Sequence, residues 1–110
     1  MTEVKITKKD NKIIKVECKG HTEFGTRGED IVCAALSSIV QTAALGLLTV
    51  AEVNINLKRD EKKGHLLMEI PQNLKELEQI KADAILETML LGVGDLHESY
   101  SDFIAIEIVK

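Results

Sequence analysis

The sequence predicts an α+β domain with the element order β-β-α-β-β-α-β. Apolar and polar residues alternate over short stretches that come in consecutive pairs, Val4 to Lys9 with Ile13 to Lys19 and Val53 to Lys58 with Leu66 to Ile70. Two longer stretches, from Ile31 and from Leu74, have helical spacing and separate these pairs from each other and from a last strand. Neighbouring strands of this kind form hairpins, so the expectation is antiparallel sheet with a buried central helix and a second, amphipathic helix, rather than a doubly wound parallel sheet. At 110 residues the chain makes one domain, 1–110, of a size that buries roughly two-thirds of its unfolded surface.

Composition narrows the function. The 45% apolar fraction supplies a core of Ile, Leu, Val and Ala, because Phe24, Tyr100 and Phe103 are the aromatics. A net charge of −4 argues against direct nucleic-acid binding, which needs a basic face, and suits a basic protein or peptide better. Cys18 and Cys33 are too few for a disulfide framework. Met1 to Asp10 is charged and lacks the apolar run of a secretory signal, so a reducing, cytoplasmic setting is expected, in which a lone thiol stays reactive.

The first two strands join at an Asp10-Asn11 turn. In the second, the two-residue period puts Ile14, Val16 and Cys18 on one face, which makes Cys18 a small core hydrophobe. No charged residue occurs from Ile31 to Ala51, a length that touches the transmembrane threshold. Ser37, Ser38, Gln41 and Thr42 at its centre, and strands on either side, favour a soluble core helix and no membrane partner. A helix apolar around most of its circumference must be covered on more than one side, by a second layer or a partner subunit.

Val53, Ile55 and Leu57 point inward on the next strand, and the charged run from Lys58 to Lys63 forms a solvated hairpin tip ahead of Leu66, Met68 and Ile70. Pro71 to Asn73 breaks the chain, and Asn73 is the expected N-cap of a helix from about Leu74 to Leu91. Leu77, Ile80, Ala84 and Leu91 are expected on its inner face, with Gly92 and Gly94 ending it. Ile104, Ile106 and Ile108 share a face of the final strand. His65 and His97 have no partner pattern and read as surface or structural residues.

Chemistry concentrates between Gly20 and Ser37. A cysteine nucleophile acts as its thiolate, which a helix N-terminus and a nearby imidazolium both favour. With Asp30 as N-cap, Cys33 falls in the first helical turn, and His21 can return to it through the glycine-punctuated loop. Ser37 lies one turn beyond Cys33 on the same face, as hydrogen-bond partner or small packing residue. Asp30 is either the helix cap or the group that orients His21, and its charge opposes the thiolate. A zinc set of Cys18, His21 and Cys33 lacks a fourth ligand, and a phosphate cradle is opposed by Glu29 and Asp30. No cofactor or metal is expected.

Gly20-His21-Thr22, followed after the loop by Gly28-Glu29-Asp30-Ile31-Val32-Cys33-Ala34-Ala35 and then Ser37, resembles the signature of the ribosomal-processing cysteine proteases, small bacterial enzymes called Prp. The resemblance runs over nearly the whole chain to the Tyr100 and Phe103-Ile104 segment. Thr22 stands where that family usually has alanine, and Ser101 where it commonly has proline. The resemblance implies a single cysteine-protease domain, an endopeptidase that removes the N-terminal extension of ribosomal protein L-twenty-seven of the large subunit in support of ribosome assembly. It implies Cys33 as nucleophile, His21 as base, Asp30, Ser37, Gly20 and Gly28 as supporting residues, and a homodimer. Thr22, Glu23, Phe24, Gly25, Thr26 and Arg27 would form a mobile substrate loop closing over the peptide. The competing reading is a non-catalytic ribosome-associated binding or assembly factor in which Cys33 is merely packed.

Overall fold

The structure, a computed structural model, describes residues 2–20, 27–60 and 64–110. The elements follow the expected order: β1 (Thr2–Lys9), β2 (Lys12–Lys19), α1 (Arg27–Thr49), β3 (Asn56–Asp60), β4 (His65–Glu69), α2 (Glu76–Ser99) and β5 (Ile104–Val109). The strands make one sheet in the spatial order β3-β4-β2-β1-β5. Three of its pairings are antiparallel, but β1 and β5 run parallel, Thr2 opposite Ile104 through Thr7 opposite Val109. The sheet is therefore mixed. Local alternation defines each strand without fixing the direction of a neighbour distant in sequence, and α2 is the crossover that returns the chain parallel to β1.

Asp10 and Asn11 both have positive φ, 54° and 63°, as a tight two-residue hairpin turn requires. The β1–β2 register then shifts: Thr7 pairs with Lys15 but Lys8 with Ile13, leaving Ile14 as the extra residue of a bulge. That slip resets the alternation. Ile13 and Val16 are buried while Ile14 is only half-buried, so Ile14 does not share the core face of Val16 and Cys18 as the simple period implied.

Both helices cover the apolar face of the sheet, presented by Val4, Ile6, Val16, Leu66, Met68 and Ile104. From α1, Val32, Leu36, Val40, Ala43, Ala44 and Leu47 enter the core, and Ala82, Leu86, Met89 and Val93 enter it from α2. The α1 sequence Ile31–Thr49 is long and apolar enough to cross a membrane by composition, with a mean hydropathy of 2.0, but its buried stripe packs on strands and on α2. The cover is one-sided, however, and α1 is not enclosed between layers: Ile31, Leu45, Leu48 and Val50 are exposed.

The second helix departs furthest from expectation. It begins at Glu76 rather than near Leu74, with Lys75 at the N-cap and the Glu78 carboxylate accepting the Lys75 N–H at 2.8 Å. It also continues through Gly92 and Gly94. A Cβ on Gly92 would lie 3.4 Å from the Ile39 side chain, and one on Gly46 would lie 3.5 Å from Ile85. Both distances are ordinary van der Waals contacts, so an added methyl group would fit at either position, and Gly92 and Gly94 do not end α2. Leu77, Ile80, Ala84 and Leu91, the expected inner face, are exposed; the stripe of Ala82, Leu86, Met89 and Val93 faces the sheet instead. Two apolar stripes share this helix, and only the sheet's position decides which is buried.

β3 starts at Asn56, later than the alternation implies, with Val53 and Ile55 buried in the segment leading to it. The hairpin itself forms, Asn56 opposite Glu69 through Asp60 opposite His65; the tip residues 61–63 lie outside the described residues. Leu86→Ala is expected to destabilise the fold by about 2–5 kcal/mol in chemical denaturation. Gly94→Ala, whose Cβ would meet nothing within 4 Å, is expected to stabilise it by about 0.5–1 kcal/mol. A loss of stability in Gly94→Ala would contradict a helix that continues through this position.

Candidate active site

The period-two face of β1 carries Thr2, Val4 and Ile6 toward the helices, and all three are buried. Thr2 is at the start of the strand, where its N–H donates to the Phe103 carbonyl at 2.9 Å. One strand away, β2 ends at Lys19, and Gly20 follows with φ 125°, in the region that favours glycine. The burial of Val32 and Leu36 seats the N-terminal half of α1 over these strand ends, which brings the intervening Cys33 onto Thr2 and Gly20.

The contacts around the sulfur form a triangle. Cys33 Sγ lies 3.0 Å from Thr2 Oγ1 and donates to the Gly20 carbonyl at 3.3 Å. Thr2 Oγ1 itself donates to the same carbonyl at 3.2 Å. Cys33 is half-buried and reduced, and it lines a cavity of about 290 Å³ between the N-terminal half of α1 and the ends of β2, β3 and β4. Cys18, Leu36, Val40 and Leu66 give this cavity apolar walls, and Lys19, Arg59, Asp60 and His65 give it a polar border. A cavity lined by both apolar and polar side chains, with a cysteine among them, can hold a peptide segment beside a nucleophile.

Ser37 lines the cavity one turn beyond Cys33, as its spacing implies. Its hydroxyl oxygen accepts a hydrogen bond from Gln41 Nε2, a further turn along α1, which makes Gln41 the residue that orients it. Because α1 begins at Arg27, Cys33 is in the second helical turn and Asp30 is already inside the helix, so Asp30 is not the N-cap. Arg27 and Gly28 are helical in the same way and do not belong to a loop. His21 and the substrate-loop residues Thr22, Glu23, Phe24, Gly25 and Thr26 lie outside the described residues. Gly20, the residue bonded to His21, is the one whose carbonyl touches the sulfur.

Cys18 lines the cavity too, but burial, with a smaller contribution from Glu17, pushes its thiol up to about 12. That value keeps it protonated and unreactive near neutral pH. His65 has a partner that sequence spacing did not reveal: Nε2 lies 2.8 Å from Glu17 Oε2 across the β2–β4 pair. This hydrogen bond, helped by Lys19 and Lys15 and opposed by desolvation, holds the Glu17 carboxyl below its ordinary 4.5.

Sequence reasoning missed Thr2, Gln41 and the Glu17–His65 pair. Gln41 was detectable from its four-residue spacing to Ser37. Thr2 shares the parity of Val4 and Ile6, but nothing local indicates that a helix would set a cysteine above it.

A carboxyl depressed in the folded state contributes stability above its unfolded value and loses it as pH falls through the folded value. Glu17→Gln should therefore lower the melting temperature at neutral pH, and the gap to the parent should close below about pH 4. Melting curves across pH test this, and a gap that persists in acid would exclude the ionised carboxylate as its cause.

The family model for cysteine protease Prp matches residues 1–105 of the chain. The ribosomal processing cysteine protease Prp of Bacillus subtilis is 28% identical over 93 residues, 84% of this chain and 83% of that protein. The protein of the same name from Mycoplasma pneumoniae is 32% identical over 94 residues, 84% and 85% of the two chains. Among solved structures, the essential ribosomal processing protease Prp from S. aureus in complex with a substrate peptide superposes with a TM-score of 0.86 at 26% identity, covering 98% of this chain and 99% of that one.

Proposed function

This chain belongs to the cysteine protease Prp family and is a cysteine protease, and from that premise we propose that Cys33 is its nucleophile, His21 its base and a ribosomal protein precursor its substrate. The observation that carries the assignment is the position of Cys33: half-buried, hydrogen-bonded, and lining the cavity. The other cysteine, Cys18, is held protonated by burial. For the base, support comes from chain connectivity, since the residue before His21 contacts the sulfur.

In the reaction the Cys33 sulfur attacks the scissile carbonyl carbon as its proton passes to the His21 imidazole. The C–N bond then breaks, and the departing amine takes that proton. Water, giving a proton back to His21, hydrolyses the resulting thioester, and the sulfur recovers its proton. Ser37, fixed by Gln41, lines the cavity beside this chemistry and takes a supporting role; Gly20 keeps the backbone close to the sulfur. The substrate segment is the N-terminal extension of ribosomal protein L-twenty-seven. Its support is the sequence signature, together with the S. aureus relative's structure in complex with a substrate peptide. The reaction belongs to the cytoplasm, where ribosomal precursors and a reduced thiol coexist.

The protein acts as a homodimer in this reading. Ile31, Leu45, Leu48 and Val50 of the α1 region and Leu77, Ile80 and Leu91 of α2 are exposed by 42–76%, on the side of the helices away from the sheet. An apolar layer of this extent is typical of a subunit interface, and a second copy of the same face offers a self-complementary cover.

Incubation with the host's own precursor, read by mass spectrometry of the new N-terminus, is expected to show a single cleavage that Cys33→Ala and His21→Ala each abolish while leaving the melting temperature nearly unchanged. Cleavage that survives Cys33→Ala would overturn the nucleophile assignment. For the subunit interface, Leu45→Glu combined with Leu91→Glu should convert a dimer to a monomer in sedimentation. A parent chain that is monomeric at all concentrations would remove the dimer from the reading.

A further inference from the structure

The structure assigns Thr2 a role in the reaction: we propose that it is a positioning residue whose hydroxyl turns from the Gly20 carbonyl to the Cys33 sulfur when that sulfur loses its proton. This rests on Cys33 being the nucleophile and adds to that reading a group that acts through it.

The triangle holds two hydrogens for three heavy atoms. The Gly20 oxygen only accepts, while the Thr2 hydroxyl and the Cys33 thiol each carry one hydrogen. In the resting arrangement both hydrogens can be directed at the Gly20 oxygen, at 3.2 Å from the hydroxyl and 3.3 Å from the sulfur. Removing the thiol proton leaves a negatively charged sulfur facing a carbonyl oxygen, two acceptors with no hydrogen between them. The Thr2 hydroxyl then holds the one hydrogen left in the triangle. Its oxygen is already 3.0 Å from the sulfur, so rotation about the Cβ–Oγ1 bond delivers that hydrogen without moving a heavy atom.

Thr2 is also held rigidly enough to do this. Its backbone is fixed against β5, paired with Ile104 and with the N–H donated to Phe103, and its branched Cβ restricts the side chain. Thr2 is 5% exposed, so water competes poorly for its hydroxyl, and a hydrogen bond from that hydroxyl to a charged sulfur is charge-assisted. Among the described residues, Thr2 and Gly20 are the hydrogen-bonding partners of the Cys33 sulfur. Of the two, only Thr2 can donate to a thiolate in this geometry.

The test is the rate of iodoacetamide alkylation at Cys33 against pH, in the full chain, with peptide mapping to separate it from Cys18. Thr2→Val keeps the shape and removes the hydroxyl; Thr2→Ser keeps the hydroxyl and removes the methyl. Thr2→Val should react about tenfold more slowly than the parent near neutral pH and converge with it in alkali, the size expected for losing one hydrogen bond to a charged group. Thr2→Ser should follow the parent. Turnover of the precursor should show the same order through kcat, with KM little changed.

A parent-like profile for Thr2→Val, or a Thr2→Ser variant slowed as much as Thr2→Val, would overturn the proposal. Should Thr2→Val fail to fold, Thr2→Ala compared with Thr2→Ser is read by the same criteria. If Cys33 of the parent reacts no faster than in the denatured chain, the nucleophile assignment itself falls, and the Thr2 role with it. A reactive Cys33 indifferent to Thr2 removes only the latter.

Discussion

Burial of one stripe of α1 against the mixed sheet is the interaction on which the site depends. Val32, Leu36, Val40 and Leu47 are each at most 2% exposed, and they lie against the apolar face that β1, β2, β4 and β5 assemble. Once that stripe is seated, the intervening residues have little freedom. Cys33 must descend over the start of β1 and the end of β2, while Ser37 and Gln41 follow along the cavity at helical spacing. The hydrophobic effect positions the helix, and hydrogen bonds to Thr2 and Gly20 fix the sulfur within that frame.

The same packing separates the two thiols chemically. Cys18 is directed to the core side of β2 and faces a cost of ionisation that raises its thiol to about 12. Cys33 sits where the protein offers a hydroxyl and a carbonyl within hydrogen-bond distance. Burial on β2 thus makes one cysteine a hydrophobe, while the other, on α1, keeps hydrogen-bond partners at its sulfur. Gly46 faces Ile85 and Gly92 faces Ile39 where α1 and α2 pack together above the sheet.

The helix layer also explains why so much apolar surface remains outside. α1 has apolar residues around most of its circumference and α2 carries two apolar stripes, yet the sheet covers only one side of each. Leu77, Ile80 and Leu91 are not packing failures in this view but the outer side of a two-faced layer. Reading α2 as an ordinary surface helix places these leucines and isoleucine inward, where the backbone does not put them.

The sequence by itself determined the element order, the Asp10-Asn11 turn, the β3–β4 hairpin, the inward Cys18, and the Cys33–Ser37 spacing, because each depends on residues a few positions apart. Its Gly20-His21 and Asp30-Ile31-Val32-Cys33 signature also identified the family. Tertiary structure decided the rest. The parallel β1–β5 pairing, the buried stripe of α2, the continuation of that helix through Gly92 and the meeting of Glu17 with His65 all join segments whose mutual placement no local pattern contains. Asp30 moved from cap to helix interior because the helix begins at Arg27. Thr2 is the clearest case: an unremarkable β-branched residue at the start of a strand acquires a role only because α1, 31 positions away in sequence, sets a sulfur above it.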